Sequence, residues 1–137
     1  MSEEKRIFKS AADILAIDDL PRREVWVEIW GTWICMQGLT GAGRDAFEAS
    51  VVEGKGKQAK TNLKNIRAKL VAACAIDPES GEPLFNATQV EALGKKSVVA
   101  LQELFDVAKE LSALSDDDVE ELEKNSVSDQ NDSSGSS

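Results

Sequence analysis

The sequence predicts an α+β, mostly helical domain in which one N-terminal β-hairpin is packed on a bundle of four to five helices. Three stretches carry that reading. Residues 25–37, VWVEIWGTWICMQ, alternate with a period of two and are dense in β-branched and aromatic side chains on both sides of Gly31. Thr61 to Ile76 place Leu63, Ile66, Leu70, Ala73 and Cys74 on one helical face, with Val71 and Ala72 widening it. Val98 to Leu114 carry Val98, Leu101, Leu104, Phe105, Ala108, Leu111 and Leu114 at three- and four-residue steps. That is the cleanest amphipathic stripe in the chain, and a stripe of this kind is more often core than partner groove.

In chain order, residues 1–9 show no pattern and are expected to be flexible. One globular domain is expected over 10–124. It starts with a short helix capped by Ser10, with Asp13 in its first turn, and Pro21 closes the segment. For the hairpin at 25–37, a two-residue turn at Gly31-Thr32 is expected, because a type II′ turn favours glycine at its first central position. That turn sets Trp30 opposite Trp33, Ile29 opposite Ile34, Glu28 opposite Cys35 and Val27 opposite Met36. Val25, Val27, Ile29, Ile34 and Met36 then share one face, expected to pack on the helix at 61–76. Trp26, Glu28, Trp30, Trp33, Cys35 and Gln37 share the other.

Helices follow at about 44–52, with Phe47, Val51 and Ala46 inward, at 61–76, and at 88–93. Asp77-Pro78 ends the second of these, since a residue before proline leaves the helical region. The basic connector Gly54 to Gln58 reads as a solvated loop. Leu84-Phe85 read as a short buried anchor. Thr88 and Glu91 are spaced as a capping box, and Gly94 stops that helix. Ser97 caps the helix at 98–114, and Ser115 with its following aspartates starts a last one at 116–124. Residues 125–137, NSVSDQNDSSGSS, read as a disordered polar tail that cannot bury enough surface to order itself.

Composition limits the function. The net charge is −9, and the first 75 residues carry 12 basic and 10 acidic side chains against 4 and 15 in the rest. An acidic chain is repelled by phosphate backbones, so nucleic-acid binding through a basic face is disfavoured. The acidic half either keeps the chain in solution or meets a basic protein partner. No apolar run approaches the length of a membrane span, and MSEEKRIFKS develops no signal-peptide core, so no membrane association is expected. Two cysteines and no histidine cannot supply a zinc site, and Cys74 reads as a small core residue. Gly38 and Gly43 are spaced as in a phosphate-binding loop, but Arg44 and Asp45 stand where the lysine and hydroxyl would be. With no histidine, no tyrosine and no paired acids in an apolar pattern, no enzyme, cofactor or metal is expected.

Several segments in order resemble a known family: SAADILAIDDLP, the Trp-Gly hairpin, GLTGAGRDAFEASVVEGKGK, NIRAKLVAACAID, GEPLF and VEALGKKSVVALQELFDVAKELSALSDDDVEELEKN. Together they resemble the tail assembly chaperones of long-tailed bacteriophages, in particular those of actinobacterial hosts, over roughly residues 8–125. The specific parts are Leu39 to Glu48 and the pattern from Leu84 to Ser112. The resemblance implies a non-catalytic protein of the host cell cytoplasm, absent from the mature virion. Such a protein holds the tape measure protein in solution and helps recruit tail tube subunits. It also implies a possible longer form made by ribosomal frameshifting. The departure is Trp26, Trp33 and Cys35 on the outer hairpin face, where similar proteins carry polar residues. The alternative is a structural head-tail or tail adaptor retained in the particle. Three large aromatics are rarely left bare in a monomer. Trp26, Trp30 and Trp33 are therefore either a surface for tape measure protein, tube protein or another copy of the chain, or are covered by the N-terminal helix around Ile14 and Leu15.

Overall fold

A computed structural model of the chain describes residues 7–53, 60–61, 64–115, 117–118 and 121. The fold is α+β and mostly helical, with an antiparallel sheet near the N-terminus. Helix α1 spans Ala11–Leu15, and the Ser10 hydroxyl accepts from the Asp13 N–H at 3.3 Å, as the capping pattern suggested. It buries none of its residues.

Strands β1 (Arg22–Val27) and β2 (Thr32–Gln37) form the hairpin, which starts at Arg22 rather than Val25. Its register differs from the expected one. Val27 pairs with Thr32, Trp26 with Trp33 and Val25 with Ile34, so the loop is residues 28–31 and not Gly31-Thr32. Gly31 does take a left-handed φ of 66°, but as the last loop residue, where its N–H donates to the Val27 carbonyl at 2.8 Å. Glycine adopts this conformation without the Cβ penalty. Val27 meets Thr32 instead of Met36, a slip of an even number of residues, so side chains keep their faces. Val27, Ile34 and Met36 are buried as expected. Ile29 and Trp30 leave the strand: Ile29 is exposed, whereas Trp30 folds back partly buried against the core.

The helix expected over 61–76 is shorter. Helix α3 spans Ile66–Cys74. Lys60–Thr61 (β4) instead pairs with Val52–Glu53 (β3), and the connector read as a loop between them, 54–59, lies outside the described residues. At the other end Ala75–Ile76 (β5) joins β2 antiparallel, turning the expected hairpin into a three-stranded sheet of order β1-β2-β5. The free edge of β2 offers unpaired backbone groups, and Ala75 turns extended (φ −78°, ψ 127°) to meet them. The chain then doubles back. Gly81 N–H donates to the Asp77 carbonyl at 2.7 Å and Leu84 N–H to the Ala75 carbonyl at 2.9 Å. Leu84 is exposed, so of the expected anchor Leu84-Phe85 only Phe85 packs against the core.

Helix α2 spans Gly41–Ser50, three residues earlier than expected, because Thr40 accepts from the Gly43 N–H at 2.8 Å and starts it there. Phe47 and Val51 are buried, whereas Ala46 is exposed. The 88–93 segment is a 3₁₀ turn at Ala87–Gln89 followed by α4 (Val90–Leu93). Its capping box is Asn86 with Gln89, not Thr88 with Glu91, because the Asn86 amide oxygen already faces the Thr88 N–H at 3.0 Å. Gly94 retains a right-handed φ.

Helix α5 spans Val98–Leu111, capped by Ser97. Ala100, Leu101, Leu104, Phe105 and Ala108 are buried, but Val98 is exposed. It stops short of Leu114 through a Schellman turn. Ala113 takes a left-handed φ of 56°, Leu114 N–H donates to the Lys109 carbonyl at 2.8 Å, and the Leu114 side chain is buried. The sheet rests mainly on α5 rather than on α3, so α5 lies between the sheet and the other helices. Gly38 touches the end of this helix: a Cβ there would collide with the Leu111 carbonyl oxygen. Val27, Met36, Leu70, Val71, Cys74 and Leu104 fill the centre. Ala73, placed on the inward stripe by its spacing, is exposed. Of the last expected helix, Asp117, Asp118 and Glu121 are helical, and Ser115 and Asp118 cap one another at 2.8 and 3.1 Å. Leu63 of the expected central helix and the expectations for 1–6, 116, 119–120 and 122–137 lie outside the described residues.

Candidate functional site

The outer face of the sheet is where three tryptophans were expected together. Two of them meet. Trp26 and Trp33 are directly opposed across β1 and β2, with ring centroids 5.5 Å apart and planes at 61°, an edge-to-face pair. The backbone places them. Cross-strand partners point to the same side of a sheet, and this side is opposite the one covered by α5. Trp26 is 42% exposed and Trp33 60%, and the Trp26 indole N–H donates to the Glu28 carboxylate at 2.7 Å. That bond fixes the orientation of one ring and leaves a carboxylate at the edge of the pair. Arg22 donates to the Gln37 side chain at 2.8 Å on the same face, while Cys35 is buried.

Trp30 does not join them, because the four-residue loop carries it back toward the core. Nor does the N-terminal helix lie over the pair as a buried cover. Ile14 and Leu15 are 57% and 81% exposed, and α1 buries nothing.

A second concave surface, of about 330 Å³, lies between α2, α3 and the segment around Phe85. Phe47, Ala72, Ala73, Phe85 and Val90 line it, and Lys69 is its one charged lining residue among those described. The Lys69 ammonium donates to the Ser50 carbonyl at 2.8 Å, which holds it at the rim. Sequence periodicity could not indicate this groove, since its wall comes from three separated segments.

Among the described residues no polar or charged side chain is buried, and no group of three potential metal ligands comes together. Ion pairs to Arg23 and Arg44 are exposed. Among the described residues the largest titration shift is at Cys74, whose thiol is pushed up to about 11 by burial, with the Ser112 hydroxyl at 3.7 Å opposing weakly. A thiol so placed is protonated and inert at neutral pH. Asp118 is held below its ordinary value by the Ser115 backbone and hydroxyl. In the glycine-rich stretch at 38–43, three amide donors are committed to the fold. Gly38 N–H donates to the Pro21 carbonyl at 2.9 Å, Leu39 N–H to the Ser112 hydroxyl at 3.0 Å, and Gly43 N–H to Thr40. Among the described residues no helix is long and apolar enough to cross a membrane.

No protein-family model matches the chain, and neither a curated protein nor a solved structure does.

Proposed function

We propose that this chain is a non-catalytic tail assembly chaperone of a long-tailed bacteriophage, acting in the host cell cytoplasm. In that role it binds the tape measure protein, keeps it in solution and helps bring tail tube subunits to it. The resemblance of the segments from Ser10 to Asn125 supports this reading, and one structural observation carries its binding half. The edge-to-face pair Trp26 and Trp33 stands on the sheet face away from α5, with both rings exposed to water. Paired aromatics in that position are the usual anchors of protein interfaces, because they bury much area at little conformational cost. Glu28, held by the Trp26 indole, adds an acidic edge suited to a basic or amide-rich partner. Trp30 contributes from beneath, as part of the support of the loop.

The test is the double substitution Trp26→Ser with Trp33→Ser, co-expressed with tape measure and tube proteins. Circular dichroism is expected to show an intact fold, and the pull-down to lose both partners. Full retention of binding removes this face from the mechanism. Mass spectrometry of purified virions separates the chaperone from a structural adaptor. A chaperone is absent or trace, whereas an adaptor is stoichiometric with the particle.

A further inference from the structure

Among the described residues, the N-terminal arm holds the densest run of exposed large apolar side chains. Ile7, Phe8, Ile14, Leu15 and Ile17 are all exposed, within eleven residues. Helix α1 is shorter than a helix that holds itself together in water, and it buries none of its residues. A capped helix of five residues with a bare apolar side needs a surface to lie on.

The same chain offers two apolar surfaces, and charge chooses between them. From Ile7 to Asp19 the arm carries Lys9 against Asp13, Asp18 and Asp19, so it is acidic. The tryptophan face carries Glu24 and Glu28 against Arg22, a net negative balance, and like charges facing one another across an interface are costly. The groove between α2 and α3 is lined by Phe47, Ala72, Ala73, Phe85 and Val90, and among the described residues its one charged lining residue is the cation Lys69. Its volume of about 330 Å³ accommodates a few aliphatic side chains. Ala46 and Ala73 are small enough to let a helix come close.

We propose that the arm of one copy docks in the α2–α3 groove of a second copy, with Ile14 and Leu15 as anchors and the arm's aspartates toward Lys69. The contact is heterologous: an arm on one side, a groove on the other. A bound pair keeps one free arm and one free groove, so the association continues to a closed ring or an open helical array. This contact stands apart from the tail-assembly role, because it uses neither Trp26 nor Trp33.

Sedimentation velocity on the full-length chain over a concentration series tests it. The wild type is expected to rise above the 14.8 kDa monomer mass with concentration. Leu15→Asp, at an exposed site on the arm, and Ala73→Glu, at an exposed site in the groove, are each expected to remain monomeric with unchanged circular dichroism. Should Ala73→Glu disturb the fold, Ala46→Glu blocks the same groove from α2. Mixing the two variants is decisive, since Leu15→Asp keeps a sound groove and Ala73→Glu a sound arm. The mixture is expected to form heterodimers and to stop there. A wild type that stays monomeric throughout overturns the proposal, whether the groove takes its own arm or another protein. So does a folded groove variant that associates like the wild type, or a mixture that stays monomeric.

Discussion

Arg23 of β1 and Glu110 of α5, 87 residues apart in sequence, face each other as a two-pronged ion pair with N–O distances of 3.0 and 3.2 Å. The pair ties the edge strand to the last turn of the helix on which the sheet rests. The Arg23 guanidinium holds the Glu110 carboxyl below its ordinary value, first by hydrogen bonding and then by charge. A carboxyl whose folded value is lowered stabilises the fold above its unfolded value and loses that contribution as pH falls through the folded one. Urea midpoints of the wild type and Glu110→Gln are therefore expected to differ slightly at pH 7. The gap should close as pH drops below the ordinary value of 4.5. Both groups are solvent-exposed, so added salt should narrow the gap as well.

Phe105 is buried in the middle of α5, and the Lys109 ammonium sits 5.0 Å from its ring centre. Phe105→Ala empties a site enclosed by core residues. It is expected to cost about 3 to 5 kcal/mol in urea unfolding, a large part of the stability of a domain this size. Under the proposed role, a variant that unfolds like the wild type but fails to hold tape measure protein would reassign the α5 stripe to partner binding.

Ala113 occupies the left-handed position of the Schellman turn that ends α5, a place normally held by glycine. An L-residue there costs roughly 1 to 2 kcal/mol, partly offset by the greater freedom that glycine has in the unfolded chain. Ala113→Gly is expected to raise stability by about 0.5 to 1 kcal/mol, seen as a Tm increase of about 2 to 4 °C. A fall in Tm would mean that the Ala113 methyl makes contacts worth more than the backbone strain.

Cys74 predicts the alkaline limb. Burial places its folded value at about 11 against an ordinary 9.0, so the unfolded chain releases the proton first. Its contribution is complete below pH 9.0 and is lost as pH rises through about 11. The loss is on the order of 2 to 3 kcal/mol. Urea midpoints of Cys74→Ala should fall less steeply than those of the wild type across this range. In the native protein at neutral pH, thiol reagents should leave Cys74 unmodified until the fold is opened.

What the sequence by itself determined are the features that depend on neighbours along the chain. Period-two alternation placed Val27, Ile34 and Met36 on the buried side of the hairpin and Trp26 and Trp33 on the open one. Even the mistaken turn left these faces correct, because the slip was an even number of residues. Caps at Ser10, Ser97 and Ser115 were legible for the same reason, since a side chain and an amide three residues on or fewer need no distant partner. Only the tertiary structure decided where Ala75 and Ile76 belong. They continue an apolar helical pattern without a break, and only the unpaired edge of β2, some forty residues upstream, draws them into the sheet. It decided the loop length as well, which turned Trp30 inward and separated it from the other two tryptophans. The groove beside Lys69 is of the same kind, because its walls come from α2, α3 and the segment around Phe85. Local patterns follow from the rotation of one residue relative to the next. Strand partners and concave surfaces follow from which unpaired backbone and apolar groups meet across the fold, and no periodicity records that.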